Sequence, residues 1–352
     1  MSGWINRLAA NRRFQAAMAR IPGVRRLVRA EGAAIFDEMQ GFVRSQVLMA
    51  LVELRVMHRL AEGPLAPEAL AGQIGLPPAR AQVLLQAGAA MKLLRRRRNG
   101  AFALSPRGAA FLAVPGLEAM VRHHRVLYDD LRDPEAFFRG ETDPALARFW
   151  PYVLAGGAGA QDAARYSHLM AESQALVAEE TLAAVSLRDV RHLMDIGGGT
   201  GAFLRAVRAR APGVKLSLFD LPEVVAGAAL PADVARLGGS FRDGPLPQGA
   251  DAISLIRVLY DHDDASVANL LQAVHTALPP GGRLILSEPM SGGVRPDPQT
   301  DVYFSVYTLA MKTGRTRSAQ TLQTSLQAAG FRQIRPAIAR RPYVTSIIQA
   351  FA

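Results

Sequence analysis

The stretch 192–201, HLMDIGGGTG, limits what this chain can fold into more than any other segment. Apolar residues run into Asp195 and then into a turn dense in glycine, the pattern of a buried parallel strand delivering its end to the first turn of a helix. A helix is expected at once over 202–210, where Phe203, Leu204 and Val207 alternate with Arg205, Arg208 and Arg210 at helical spacing. Gly197, Gly199 and Gly201 lack a Cβ, so backbone can pass against a ligand there and take φ values other residues avoid. A second strand over 214–219 ends in Asp220, an acid placed to accept both hydroxyls of a ribose. A P-loop needs Lys-Ser/Thr after its last glycine, but Ala202 and Phe203 stand there. The G-x-G-x-x-G dinucleotide fingerprint is also missing, because the glycines are packed as Gly197-Gly198-Gly199-Thr200-Gly201. What remains is a third ligand class, or a turn with a packing role only.

The 352 residues suffice for two domains, or for one with a large appendage. A hydrophobic content of 49% with 20% charged residues describes a globular protein with a sizeable core. The absence of cysteine excludes disulfides and metal–thiolate sites. No apolar run reaches the roughly 18 residues of a membrane span and no secretory pattern opens the chain, so a cytoplasmic protein is expected. The net charge of +11 is partly concentrated at the start. Arg7, Arg12, Arg13, Arg20, Arg25, Arg26 and Arg29 all precede the first acid, Glu31, with Trp4, Ile5, Leu8, Phe14, Met18 and Ile21 among them. Such a basic arm, residues 1–30, suits either an anionic bilayer surface or a dimer partner; charge alone leaves both open.

A domain over 31–115 follows. A long helix is expected over 33–60, broken by Gly63-Pro64, then shorter helices over 67–74 and 77–91. Four arginines, Arg95 to Arg98, lead into an Asn99-Gly100 turn and a short strand over 101–104. Helix, helix and hairpin make a winged-helix pattern, and arginines beside a wing raise a DNA-binding regulator as the rival reading. The second helix opposes it, since Arg80, Gln82 and Gln86 are its only candidate base readers; an interface role is expected, without nucleic acid. The rest, 116–352, opens with helices. They include the adjacent His123 and His124, which point in different directions and have no carboxylate at a metal-ligand offset. Further helices are expected over 144–154 and 166–185, with a flexible joint at 156–159 between them and Met170, Ser173, Gln174 and Val177 on one helical face. From 190 the alternation is β–α: strands near 235–241, over 252–258 and over 283–287, helices over 265–277 and 322–329, and a last strand over 343–351. This predicts an α/β, doubly wound sheet with its ligands at the carboxyl ends of the strands.

The run D-x-G-G-G-x-G at 195–201 resembles the first motif of class I S-adenosylmethionine-dependent methyltransferases. With D-L-P at 220–222, L-P-x-G-A-D at 246–251, V-L-Y-D-H-D-D at 258–264 and P-G-G-R-L-I-L-S-E at 280–288, the chain resembles the plant and bacterial small-molecule O-methyltransferases. The segment at 258–264, E-P-M at 288–290 and Y-T-L-A-M-K-T-G-R-T-R-S at 307–318 look most like the carotenoid-methylating branch. The resemblance implies a Rossmann-like class I domain behind a winged-helix dimerisation domain, S-adenosyl-L-methionine as cofactor, and a homodimer. It also implies a hydroxylated carotenoid as substrate, with another apolar hydroxyl compound such as a polyketide or quinone as the alternative. By the same likeness Asp195, Gly197, Gly199, Gly201, Asp220, Ser240, Phe241 and Arg257 would bind the cofactor, and no metal is implied.

The chain also departs from that family. Tyr260, followed by Asp261 and His262, occupies the place of the general-base histidine; Gly239-Ser240-Phe241 lacks the aspartate of the family's G-D-F element. Ile256, beside Arg257, stands for a lysine near the adenine, and Thr316 for a second glutamate, while Glu288 keeps its identity. A phenol with a usual pKa of about 10 is a poor base at neutral pH. A tertiary alcohol, however, is too weak an acid to be pre-ionised, so its proton should leave late. Tyr260 is then expected to orient the hydroxyl, with His262 or Glu288 receiving the proton.

Overall fold

The computed structural model describes residues 3–149 and 174–352, which part into two compact units between Ala113 and Val114. Residues 150–154 of the helix expected over 144–154, residues 166–173 of the one expected over 166–185, the joint at 156–159, and Met170 and Ser173 lie outside the described residues.

In the first unit, α1 (Gly3–Ala9) and α2 (Arg12–Met18) bury no residue. Helix α3 then runs unbroken over Val24–Glu53 and crosses the expected arm boundary at 30/31. Its Arg, Leu, Ala and Glu residues favour helix, and a change of charge at Glu31 is no stop signal; the real break is Pro22-Gly23, with Gly23 at φ 91°. The single helix expected over 33–60 is corrected to two. Arg55 adopts a left-handed φ of 53°, and α4 (Val56–Glu62) leaves at a new angle. Leu51 and Val52 before the turn and Val56, Met57 and Leu60 after it are all buried. Helices α5 (Pro67–Ile74) and α6 (Pro78–Ala90) precede strands β1 (Leu94–Arg96) and β2 (Phe102–Leu104), an antiparallel hairpin, and α7 (Pro106–Ala113) closes the winged-helix unit.

The second unit begins with α8 (Leu117–Asp130) and α9 (Pro134–Arg139). Its sheet has the order β10-β11-β7-β6-β3-β4-β5. Strands β3 (His192–Ile196), β4 (Lys215–Asp220), β5 (Ala235–Gly238), β6 (Ala252–Ile256) and β7 (Arg283–Glu288) are parallel. Helix α10 (Ala202–Arg210) and helical residues 174–184 cover one face, while α12 (Asp264–Ala277) and α14 (Ala319–Ala328) cover the other. Short α11 (Pro222–Gly227) joins β4 to β5. A pair of two-residue strands, β8 (Met290–Ser291) and β9 (Arg317–Ser318), flanks α13 (Ser305–Met311). The sheet turns antiparallel at β11 (Ser346–Phe351), which lies between β7 and an edge strand, β10 (Arg332–Ala337), that the sequence did not announce. The chain goes outward from β3 to β4 and β5, then returns to β6 on the other side of β3. Loops diverge at such a reversal and leave a crevice above the strand ends, where the glycine turn sits.

Candidate active site

The glycine turn is built on a buried acid. Asp195 is fully buried; its Oδ1 accepts the Ser254 hydroxyl at 2.6 Å and its Oδ2 takes no hydrogen bond. Burial, with Asp220 nearby, pushes its pKa up to about 7. The carboxyl lies directly beneath Gly198, where a Cβ would stand 2.3 Å from Oδ2. Asp195 thus lies immediately below the loop, with one carboxylate oxygen engaged by Ser254 and the other without a hydrogen bond. The three flanking glycines divide in the same way. All have left-handed φ (67°, 56° and 77° for Gly197, Gly199 and Gly201). A Cβ at Gly197 would press on Val258 and one at Gly201 would overlap Leu230, so both shape the turn, whereas Gly199 faces open space. The Gly199 N–H also donates to Asp220 Oδ2 at 2.8 Å and the Leu221 N–H to Oδ1 at 2.8 Å. Each oxygen keeps a lone pair for a further donor. Burial raises the Asp220 pKa, against the pull of these two bonds.

A second group gathers where β6 and β7 end. Tyr260 and Asp261 lie in a short 3-10 turn and are buried, as is Glu288, which is 0% exposed. The Tyr260 N–H donates to Glu288 Oε2 at 3.3 Å; Oε1 of Glu288 and Oδ1 of Asp261 take no hydrogen bond. Burial pushes Glu288 up to about 7 despite the pull of Arg317, and burial with the Glu288 charge drives Asp261 well above the carboxylate range. The Tyr260 phenol is likewise held well above 10, chiefly by burial, so it is a donor and not a base. Arg317, 2% exposed, ties the turn down: its guanidinium donates to the carbonyls of Leu259 at 2.9 Å and His262 at 2.8 Å and to Asp264 at 2.8 Å. Gly314 lies so close beneath that a Cβ would collide with the Tyr260 carbonyl.

His262 is placed differently from Tyr260. Its Nδ1 lies 3.2 Å from an Arg242 guanidinium nitrogen and its ring meets Phe241 edge-on at 5.2 Å. A guanidinium can only donate, so the imidazole lone pair is engaged and the proton resides on Nε2. Burial, then Arg242, lowers its pKa to about 4. A proton acceptor there is at odds with both facts. Ser240 accepts the Arg242 N–H at 3.1 Å, which shapes the turn after β5 and sets Phe241 against the core below the loops. Arg257, a non-glycine residue at φ 57°, carries its guanidinium over Phe304 at 5.7 Å, in the field of Tyr260, Asp261 and Tyr303. The structure thus sets Arg257 within this aromatic group. Thr316 shares a 2.6 Å hydrogen bond with Ser305.

Sequence reasoning missed how the aromatic wall is held. His123 Nε2 meets the Tyr307 hydroxyl at 2.9 Å and His124 Nε2 meets Tyr303 at 2.7 Å. Adjacent residues on α8 diverge, and residues four apart on the opposing helix are spaced to catch both. Burial lowers both imidazoles, His123 to about 4, so the pairs are neutral. The signal was present as two adjacent histidines and a Y-x-x-x-Y spacing, but nothing local links positions 179 and 184 residues apart. Among the described residues no cluster of three metal-ligating side chains occurs.

The family model for an O-methyltransferase domain matches residues 148–332, and that for an O-methyltransferase dimerisation domain matches 36–114. The chain is 58% identical to demethylspheroidene O-methyltransferase of Cereibacter sphaeroides, over 98% of this chain and 93% of that protein. It is 52% identical to the enzyme of the same name from Rhodobacter capsulatus, over 99% of this chain and 89% of that one. Among solved structures, human N-acetylserotonin methyltransferase in complex with SAM superposes with a TM-score of 0.73 at 26% identity, covering 91% of this chain and 97% of that one.

Proposed function

The chain belongs to the O-methyltransferase family, and on that premise we propose that it moves a methyl group from S-adenosylmethionine to the tertiary hydroxyl of a 1-hydroxy carotenoid in the spheroidene pathway, as a homodimer. The observation that carries this reading is the 58% identity, over nearly the whole chain, to an enzyme named for demethylspheroidene.

The residues at the switch point fit the cofactor. Gly199 offers backbone with open space above it, and Asp220, held by two N–H groups, retains lone pairs for ribose hydroxyls. Ser240 and Phe241 lie at the next loop, where the base would lie, and the Arg257 guanidinium suits the cofactor's carboxylate. When bound, S-adenosylmethionine supplies an electrophilic methyl group on a sulfonium.

The protein's own work is to position one hydroxyl and take away one proton. Tyr260, protonated at any working pH, donates to the substrate oxygen and leaves its other lone pair free to react. Glu288 takes the proton that the hydroxyl gives up, since its Oε1 is unengaged and its pKa of about 7 leaves a substantial ionised fraction at neutral pH. His262 acts on Phe241 and Arg242 instead. Burial of Tyr260, Asp261 and Glu288 excludes water, which would otherwise compete for the hydrogen bonds. No helix among the described residues is long and apolar enough to cross a membrane.

The test is incubation of the purified protein with labelled S-adenosylmethionine and a hydroxylated carotenoid extract. A labelled methoxy carotenoid is expected. Cofactor binding by calorimetry without any label in the carotenoid fraction would refute the substrate.

A further inference from the structure

We propose that residues 3–29 form a docking platform for an anionic lipid bilayer. The platform rests on the carotenoid reading for its purpose: such a substrate is dissolved in a bilayer and presents its hydroxyl at the headgroup zone. Its evidence is separate. Helices α1 and α2 are well formed although neither buries a residue. The corner between them is fixed from within: the Asn11 side chain accepts the N–H groups of Arg13 at 2.9 Å and Phe14 at 3.1 Å, and the Asn11 N–H donates to the Leu8 carbonyl at 3.0 Å. A structured element without a core face is built to meet something else.

Its chemistry says what. On α1, Trp4, Ile5 and Leu8 fall within one arc of the helix, with Trp4 59% and Ile5 52% exposed. Ile21 and Leu27 are also exposed. Seven arginines and no acid stand among residues 1–30. Apolar anchors with a tryptophan, set among cations only, match the boundary between acyl chains and anionic headgroups. A second copy of the chain is the poorer occupant. Two such platforms repel each other, and the dimerisation family model begins only at residue 36, where Phe36, Met39, Phe42 and Val43 expose an apolar face of their own.

The experiment floats the full-length protein with phosphatidylcholine vesicles, with and without phosphatidylglycerol. Flotation is expected only with the anionic lipid at 0.1 M salt, and its loss near 1 M, where the screening length falls from about 10 Å to about 3 Å. The triple variant R12Q/R13Q/R20Q should weaken partitioning roughly a hundredfold, and W4A/I5A roughly tenfold. Light scattering and cofactor calorimetry should be unchanged in both variants, since no buried residue is touched. Equal flotation of wild type and variants, or no flotation of the wild type, overturns the platform. So does a variant that turns monomeric, which would assign the segment to the second copy. Wild type that floats but methylates no carotenoid leaves the platform standing and removes the substrate; methylation of vesicle-held carotenoid at the same rate by wild type and R12Q/R13Q/R20Q does the reverse.

Discussion

Replacing Asp195 by asparagine should change how stability depends on pH. The carboxyl is fully buried beneath Gly198, and burial pushes its pKa from 3.8 to about 7. Because the folded value lies above the unfolded one, folding favours the protonated acid. That contribution is fully present below pH 3.8, falls as pH rises toward about 7, and is gone above it. Between pH 5 and pH 8 the loss amounts to about 2–3 kcal/mol. Asparagine has no proton to lose, so Asp195→Asn removes this slope. It also sets a buried N–H beside Gly198 with no acceptor, at a cost of about 1–3 kcal/mol at every pH. The variant should be the less stable protein at pH 5, and the gap should close or reverse by pH 8. For a unit of this size the narrowing corresponds to roughly 5–10 °C in Tm. Thermal unfolding of both proteins without cofactor, in steps from pH 5 to pH 8, reads it directly. Glu288, also raised to about 7, titrates equally in both and cancels. Parallel profiles would refute the account of a buried, ionisable brace.

The glycines should separate by role. Gly201→Val overlaps Leu230 at a left-handed φ and should cost about 2–4 kcal/mol in unfolding. Gly199→Val should cost only the backbone strain of about 1–2 kcal/mol, yet weaken S-adenosylmethionine in calorimetry by roughly tenfold or more. Tyr260→Phe should keep cofactor affinity and lose turnover by about ten- to a thousandfold, while His262→Ala should leave the pH–rate profile in place; a vanished limb in the latter would return the proton to His262. Arg317→Met removes the tie on Leu259, His262 and Asp264 and should cost about 3 kcal/mol, with kcat falling more than the cofactor's Kd rises. Light scattering should give the mass of two chains at micromolar concentration, and a single-chain mass would count against the homodimer.

Much of the catalytic unit was legible because its signals are local. The glycine turn, Asp220 and the β–α alternation are each written within a few residues; β3, β4, β6 and β7 fall within two residues of where periodicity put them, while β5 ends three residues early and β11 begins three residues late. What escaped depends on contacts far along the chain. Arg55 breaks a helix in a conformation no propensity assigns to arginine, because the core behind it rewards the turn. Asp195 could be recognised as the motif's acid, but not its burial beneath Gly198 or its bond to Ser254, 59 residues on. His262 looked available until Arg242, 20 residues earlier, occupied its lone pair. Strand β10, with the sequence RQIRPA, has no apolar alternation because only one residue in three turns inward.

That same strand bears on how the protein meets its neighbours. A sheet edge offers a row of free N–H and C=O groups, a template on which another chain can add itself. At β10 the template is spoiled. Arg332 and Arg335 place charge along it, Pro336 lacks an N–H, and the register shifts between the two arginines, with Gln333 at φ 45°. Strand-by-strand growth is thus discouraged on this side of the catalytic sheet. Copies of the protein can be brought together at high local concentration, as on a surface, without the sheets fusing into a fibre.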